Sequence, residues 1–378
     1  MIKILYLYEH LRIGGAEQLL LTTLKFLDRN KFYPVVYCLS EKGQIGSEIE
    51  KIGVKVRALK KDIHLFNVSI IYDLIRIFKH EKPDAIHTNL FFPNVFGRLA
   101  AKLARVKTVI TTLHNPDYSF EDNGKMRFKI RKAIDKGSAR FSKTSFIAVS
   151  EFVKNDFLKQ LKFNNTEVIY NYIDVESFKS RDSLKIKEKR DELGFRSEDV
   201  LILNVGRLHP QKGQLYLLEA FNLASKDNPR LKLIIIGKGN LEEELKNKVT
   251  DSSLKERVMF LEDRRDIAEI MAASDIFVFP SLYEGFGIAL VEAMAVGLPI
   301  IASDIDSLKE IVSDRKEAIL VQKQNPKILA DAISELVRDE KLRRHLGENA
   351  RKKAFELFNA KGLVRKLQTF YEERLTNA

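Results

Sequence analysis

The sequence predicts an α/β protein of two doubly wound, Rossmann-like domains facing across a cleft, and three observations carry that prediction. The chain has 378 residues, more than one hydrophobic core usually organises. Apolar, β-branched runs of strand length alternate with longer stretches of helical period, the pattern of parallel sheets built from βαβ units. The two halves of the chain carry closely similar sets of such runs. Composition agrees: 45% hydrophobic and 31% charged residues with 9 prolines exclude disorder and collagen-like repeats.

Taken in order, the expected strands of the first half are residues 2–8, 34–39, 54–58, 85–87, 108–113, 146–149 and 167–170. Those of the second half are 200–205, 231–236, 257–261, 276–279, 299–302 and 318–321. Between the sets lies a polar, charge-rich stretch, Ser177 to Arg190, with no regular apolar stripe; it reads as a linker. The domains are therefore expected at 1–180 and 181–378. Apolar residues at Leu363, Leu367, Phe370 and Tyr371 mark Ala360 to Leu375 as one more amphipathic helix. Two doubly wound units would leave a cleft at the carboxyl ends of their strands, where ligands of such proteins bind.

Net charge is +12, and its distribution is uneven. Residues 1–180 hold 30 Lys and Arg against 19 Asp and Glu, whereas residues 181–378 hold 34 against 33. The single cysteine, Cys38, cannot make an intrachain disulfide, and no cysteine pair or His-rich cluster offers structural zinc ligands. A reducing cytoplasm is the natural setting. No stretch approaches the roughly 20 apolar residues that would span a bilayer.

The richest segment runs from Phe279 to Pro299. A strand leads into a loop bearing Glu284, and a helix is expected to begin near Ile288 and stop at Gly297. Backbone N–H groups at Phe286, Gly287 and Ile288 would stand at that helix's N-terminus, which favours an anion such as a diphosphate. Carboxylates suit hydroxyl groups instead, so Glu284 and Glu292 are candidate acceptors for sugar or ribose hydroxyls. Taken singly, they could equally be a turn residue and a solvated helix residue.

In the second segment, Gly206-Arg207-Leu208-His209-Pro210-Gln211-Lys212-Gly213 follows a strand. A guanidinium and an ammonium on one loop would clamp a diphosphate and neutralise charge as it leaves; the alternative is a pair of exposed surface charges. Gly14 and Gly15 follow the first strand and open a helix, allowing backbone to approach a phosphate, although the spacing is not a dinucleotide fingerprint. His114 ends the strand 108–113 and would reach a sugar hydroxyl or cap its own turn; His87 is a weaker case. Asp304 and Asp306 have the spacing of a metal-binding pair, but a cap is the commoner use, and no metal is expected because Arg207 and Lys212 would do its work.

Gly14-Gly15-Ala16-Glu17, the strand-end His114, Asn171-Tyr172-Ile173-Asp174, Arg207 with Lys212, and the Glu284/Glu292 pair together resemble the family-4 retaining glycosyltransferases of the GT-B fold. The resemblance spans nearly the whole chain. It implies that Glu292 binds a ribose and that Glu284, with the amides of Phe286 and Gly287, binds the donor sugar. It further implies that Arg207 and Lys212 hold the diphosphate, that the Gly14-Gly15 loop closes over it, and that His114 contacts the sugar near the reacting carbon. Residues 360–378 would pack back on the N-terminal domain. The chain departs from the family pattern at Tyr172, at Ile305-Asp306-Ser307 and at Glu262.

The expected activity is transfer of a hexose, with retention and without a metal or other cofactor. The donor is a nucleotide-diphosphate sugar and the acceptor a lipid-linked or oligosaccharide hydroxyl, as in surface-polysaccharide assembly. The alternatives are a GT-B-fold nucleotide-sugar epimerase and a basic polyanion-binding protein; no nucleic-acid motif supports the latter. The segment Lys125 to Lys143 carries eight Lys and Arg and one Asp. Met126, Ile130 and Ile134 recur every four residues there, which suits either a domain core or an anionic membrane surface, the inner face of the cell membrane.

Overall fold

The computed structural model describes residues 1–120, 126–178, 182–250, 254–262 and 264–376. Among them, thirteen strands form where thirteen apolar runs are expected. They are β1 (Ile2–Tyr8), β2 (Phe32–Cys38), β3 (Lys55–Ala58), β4 (Ala85–Asn89), β5 (Thr108–Leu113), β6 (Ser145–Ala148), β7 (Thr166–Val168), β8 (Val200–Val205), β9 (Leu231–Ile236), β10 (Val258–Leu261), β11 (Ile276–Phe279), β12 (Ile300–Ser303) and β13 (Ala318–Val321). They make two parallel sheets, ordered β3-β2-β1-β4-β5-β6-β7 and β10-β9-β8-β11-β12-β13. Each order reverses once, between β1 and β4 in the first sheet and between β8 and β11 in the second.

Two compact units result: Met1–Tyr172 with Ala360–Ala378, and Ile173–Asn359. The boundary falls at Tyr172/Ile173 rather than at 180/181. The reason is local: Ile173 bridges to Asn359 and its N–H donates to the Phe358 carbonyl at 3.1 Å, which ties the next residues to the second unit.

In the first unit, alternation along β1 feeds two cores. Ile4, Tyr6 and Tyr8 join a cluster with the helices Gly15–Phe26 and Ala360–Thr376; Leu5 and Leu7 join one with the helices Ser69–Glu81 and Phe91–Ala104. The C-terminal helix buries Val364, Leu367, Phe370 and Tyr371 in this core. Its Tyr371 hydroxyl donates to the Tyr6 hydroxyl at 3.1 Å and lies 2.7 Å from His87 Nδ1. Tyr172 fills the same core, its hydroxyl 2.7 Å from Thr23 Oγ1, so this departure from the family pattern serves packing.

The stretch 177–190 is not simply a linker. Residues 179–181 lie outside the described ones, but Ser183–Glu192 forms a helix with no buried residue. It lacks an apolar stripe because charges hold it: Lys189 Nζ sits 2.7 Å from Asp266 and 2.6 Å from Glu192, and Arg190 lies 3.2 Å from Asp275.

Candidate active site

The loops leaving β8 and β11 meet at the switch point of the second sheet, because those strands are neighbours whose connections run to opposite sides. Arg207 and Lys212 come from the first loop, Ser281 and Glu284 from the second. Gly213 lets them approach: its φ is +69°, and a Cβ there would stand 2.1 Å from the Pro280 carbonyl oxygen. The loops are also stitched by hydrogen bonds, from Leu282 N–H to the Gln211 carbonyl at 2.7 Å and from Gln211 Nε2 to the Tyr283 carbonyl at 2.9 Å.

Two of the sequence-derived residues of this unit meet directly, in an arrangement their spacing does not reveal. Lys212 Nζ lies 2.5 Å from Glu284 Oε1, so the candidate phosphate ligand and the candidate sugar ligand are paired with each other. Ser281 Oγ donates to the same carboxylate oxygen at 2.7 Å, and the Phe279 ring lies 5.2 Å from the ammonium. Glu284 is only 4% exposed. Arg207, by contrast, is exposed, and its Nη2 reaches Gln211 Oε1 at 3.4 Å.

The expected helix is Ile288–Val296, ended by Gly297. Among the described residues, no carbonyl accepts from the N–H of Gly287 or of Ile288, so those donors stand open at the helix N-terminus. The Phe286 side chain is buried edge-on against Phe358. Burial pushes the Glu292 carboxyl up from 4.5 to about 7. Asp304 is paired with Lys309 at 2.6 Å, which makes it a poor half of a metal site.

His114, Gly14 and Gly15 belong to the first unit. Gly14 precedes the helix Gly15–Phe26, and the space a Cβ would need is taken by the Glu17 carboxylate, 2.3 Å from that position. Its missing side chain admits this carboxylate. His114 is half-buried at the end of β5, its Nε2 2.9 Å from Asn89 Oδ1, and burial lowers it to about 4. His87, whose two ring nitrogens meet Tyr371 and Thr112 at 2.7 Å each, is a satisfied core histidine.

Three supporting residues, Gln211, Ser281 and Asn89, have no signature in the sequence beyond adjacency to a charged or strand-end position. Their roles depend on which strands are neighbours.

Two family descriptions match the chain, Glycosyltransferase Family 4 over residues 13–177 and Glycosyl transferases group 1 over residues 185–353. A UDP-Gal:alpha-D-GlcNAc-diphosphoundecaprenol alpha-1,3-galactosyltransferase of Escherichia coli is 31% identical over 391 residues, covering 100% of this chain and 98% of its own length. The chain is a family-4 glycosyltransferase. Another relative of this glycosyltransferase is the capsular polysaccharide biosynthesis glycosyltransferase CapM of Staphylococcus aureus, 27% identical with 89% of each chain covered. Among solved structures, Anabaena Alr3699/HepE in complex with UDP-glucose superposes with a TM-score of 0.86 at 25% identity, covering 99% of this chain and all of that one. The fold is GT-B: two Rossmann-like units, as expected.

Proposed function

We propose that this glycosyltransferase moves a hexose from a uridine-diphosphate sugar to a hydroxyl of a saccharide carried on a lipid diphosphate, with retention and without a metal. The observation that carries the reading is the Arg207, Lys212 and Glu284 constellation at the switch point, beside the open N–H groups of Gly287 and Ile288. A diphosphate arriving there meets two cations and a helix N-terminus. It competes with Glu284 for Lys212, and the released carboxylate, still held by Ser281, becomes an acceptor for a sugar hydroxyl. Glu292, on the following helix, is the candidate for the ribose hydroxyls.

Retention follows on this reading from front-face transfer, in which the departing phosphate oxygen takes the acceptor's proton. Lys212 and Arg207 neutralise the diphosphate as it leaves, the work a cation would otherwise do. The E. coli relative's name supports the lipid-diphosphate acceptor, and the UDP-glucose complex of HepE supports the donor class.

A cytoplasmic, membrane-attached enzyme is part of the proposal. No helix among the described residues is long and apolar enough to cross a membrane. The helix Met126–Ser142 instead turns Phe128, Asp135, Ala139 and Ser142 inward, with Asp135 bonded to the fully buried Arg98. Met126 is 69% exposed, Ile130 48% and Phe141 50%, whereas Ile134 packs against the core. The outward stripe is therefore Met126, Ile130, Ala133 and Phe141, with Arg127, Lys129 and Arg140 beside it, a face suited to anionic lipid. Lys125 lies outside the described residues.

The test is a transfer assay pairing UDP-galactose and UDP-glucose with GlcNAc-diphosphoundecaprenol, in the presence and absence of EDTA. EDTA-insensitive transfer giving an α-linked product from the α-linked donor is expected. A β-linked product would overturn retention, and loss of activity in EDTA restored by a divalent cation would overturn the metal-free reading.

A further inference from the structure

At the carboxyl edge of the first sheet, β4 and β5 lie side by side, Asn89 opposite Thr112, which brings the last residue of β4 beside His114 just past the end of β5. Asn89 is 2% exposed. Its Oδ1 meets His114 Nε2 at 2.9 Å, while its Nδ2 is buried with no protein partner. Behind it is a cavity of about 30 Å³ that Asn89 lines together with Tyr8, Thr23, His87, Asn171 and Tyr172. A buried amide N–H left unbonded costs about 1–3 kcal/mol, and a cavity of that size, apolar over most of its lining but carrying these polar groups, accommodates a water that would bond it. The end of the amide that faces the histidine is its carbonyl.

We propose that Asn89 is a positioning residue: its side-chain carbonyl, 2.9 Å from Nε2, fixes His114 as the Nε2–H tautomer and leaves Nδ1 as a bare acceptor for a substrate hydroxyl. The inference rests on the reading that His114 meets the substrate. Its chemical content is selectivity. A histidine that offers only a lone pair accepts from a hydroxyl and repels a phosphate oxygen, so His114 serves the sugar or the incoming acceptor rather than the diphosphate. Burial keeps the ring neutral at physiological pH, so a single tautomer is the state to be fixed.

The experiment is a two-bond ¹H–¹⁵N correlation spectrum of the ¹⁵N-histidine-labelled full chain, with the His114 pattern among the 7 histidines assigned by its loss in His114→Gln. The expected result is a protonated Nε2 and an unprotonated Nδ1 in the parent, giving way to a mixture of tautomers in Asn89→Ala. A protonated Nδ1 in the parent would overturn the proposal even if Asn89→Ala failed to fold, as would an unchanged tautomer in a folded Asn89→Ala protein. Transfer from UDP-galactose to GlcNAc-diphosphoundecaprenol tests the underlying reading separately. On the proposal, Asn89→Ala lowers kcat/KM about tenfold, the scale of one neutral hydrogen bond. Parental turnover in His114→Gln would sink the substrate contact while leaving the tautomer result standing.

Discussion

A lysine ammonium 2.5 Å from a carboxylate that is 4% exposed answers to substitution differently from an arginine in solvent. Arg207→Ala is expected to leave the melting temperature unchanged and to lower turnover about 100-fold, the usual loss when a preorganised contact to developing charge is removed. Lys212→Ala should lose turnover comparably and in addition destabilise the protein by about 3 kcal/mol, because it leaves the Glu284 charge buried with Ser281 as its remaining neutral partner. Scanning calorimetry checks this, and Lys212→Ala with Glu284→Gln should recover most of the lost stability. Glu292 makes a second prediction. Its carboxyl is held near 7 against an ordinary 4.5, so the unfolded chain ionises first and this group's contribution to stability falls as pH rises from about 4.5 to about 7, then levels. If ribose hydroxyls bind the ionised form, UDP binding at pH 7 releases up to about half a proton. Calorimetry in two buffers of different ionisation enthalpy should detect it in the parent and not in Glu292→Gln. At this scale the sequence was informative about charged groups, because a strand-loop-helix context makes them stand out. It was silent on Ser281, Gln211 and Asn89, whose partners are chosen by strand order.

Elements were legible where their signal was apolar. Every strand lies within two or three residues of its expected bounds, the inner ones because strands buried on both faces read as continuous apolar runs. The helix Ser183–Glu192 was not legible, since ion pairs to Asp266 and Asp275, far along the chain, hold it and leave no periodicity. The helix Met126–Ser142 was half legible: its charge was plain, but its rotation is set by the Arg98–Asp135 pair, which turns Ile134 rather than Met126 toward the core. Arg131 stacks 4.4 Å over Phe91 and Lys132 bonds Gln160 at 2.6 Å, so these cations are engaged within the protein. The variant to compare with the parent is therefore Arg127→Gln/Lys129→Gln/Arg140→Gln. The parent should pellet with anionic but not neutral liposomes at low salt and release at high salt, each engaged cation contributing roughly 1 kcal/mol. The variant should remain largely in the supernatant. No pelleting of the parent at low salt would remove the membrane face.

Over the whole chain, the two-unit plan was readable from the paired sets of apolar runs, whereas the crossing point was not, since one backbone bridge between Ile173 and Asn359 decides it. Truncation after residue 359 is expected to spare the second unit and damage the first, which loses Val364, Leu367, Phe370 and Tyr371 from its core. Hydrogen exchange should show β1 and the helix Gly15–Phe26 losing protection in the truncated protein while β8 and β11 keep theirs. Equal protection of both units would contradict the assignment.

The same arrangement bears on how the protein is made. Residues 1–172 emerge from the ribosome before the helix that closes their core, which follows only after residues 173–359. Domains generally fold as units during synthesis at about 5–20 residues per second, so the nascent first unit must wait through translation of residues 173–359 with Tyr6, Phe32 and Tyr172 uncovered. The second unit, by contrast, needs nothing that follows residue 359. Ribosome-bound chains of residues 1–359 followed by a tether long enough to clear the exit tunnel should therefore hold a protease-resistant second unit behind a first one that chaperones still recognise.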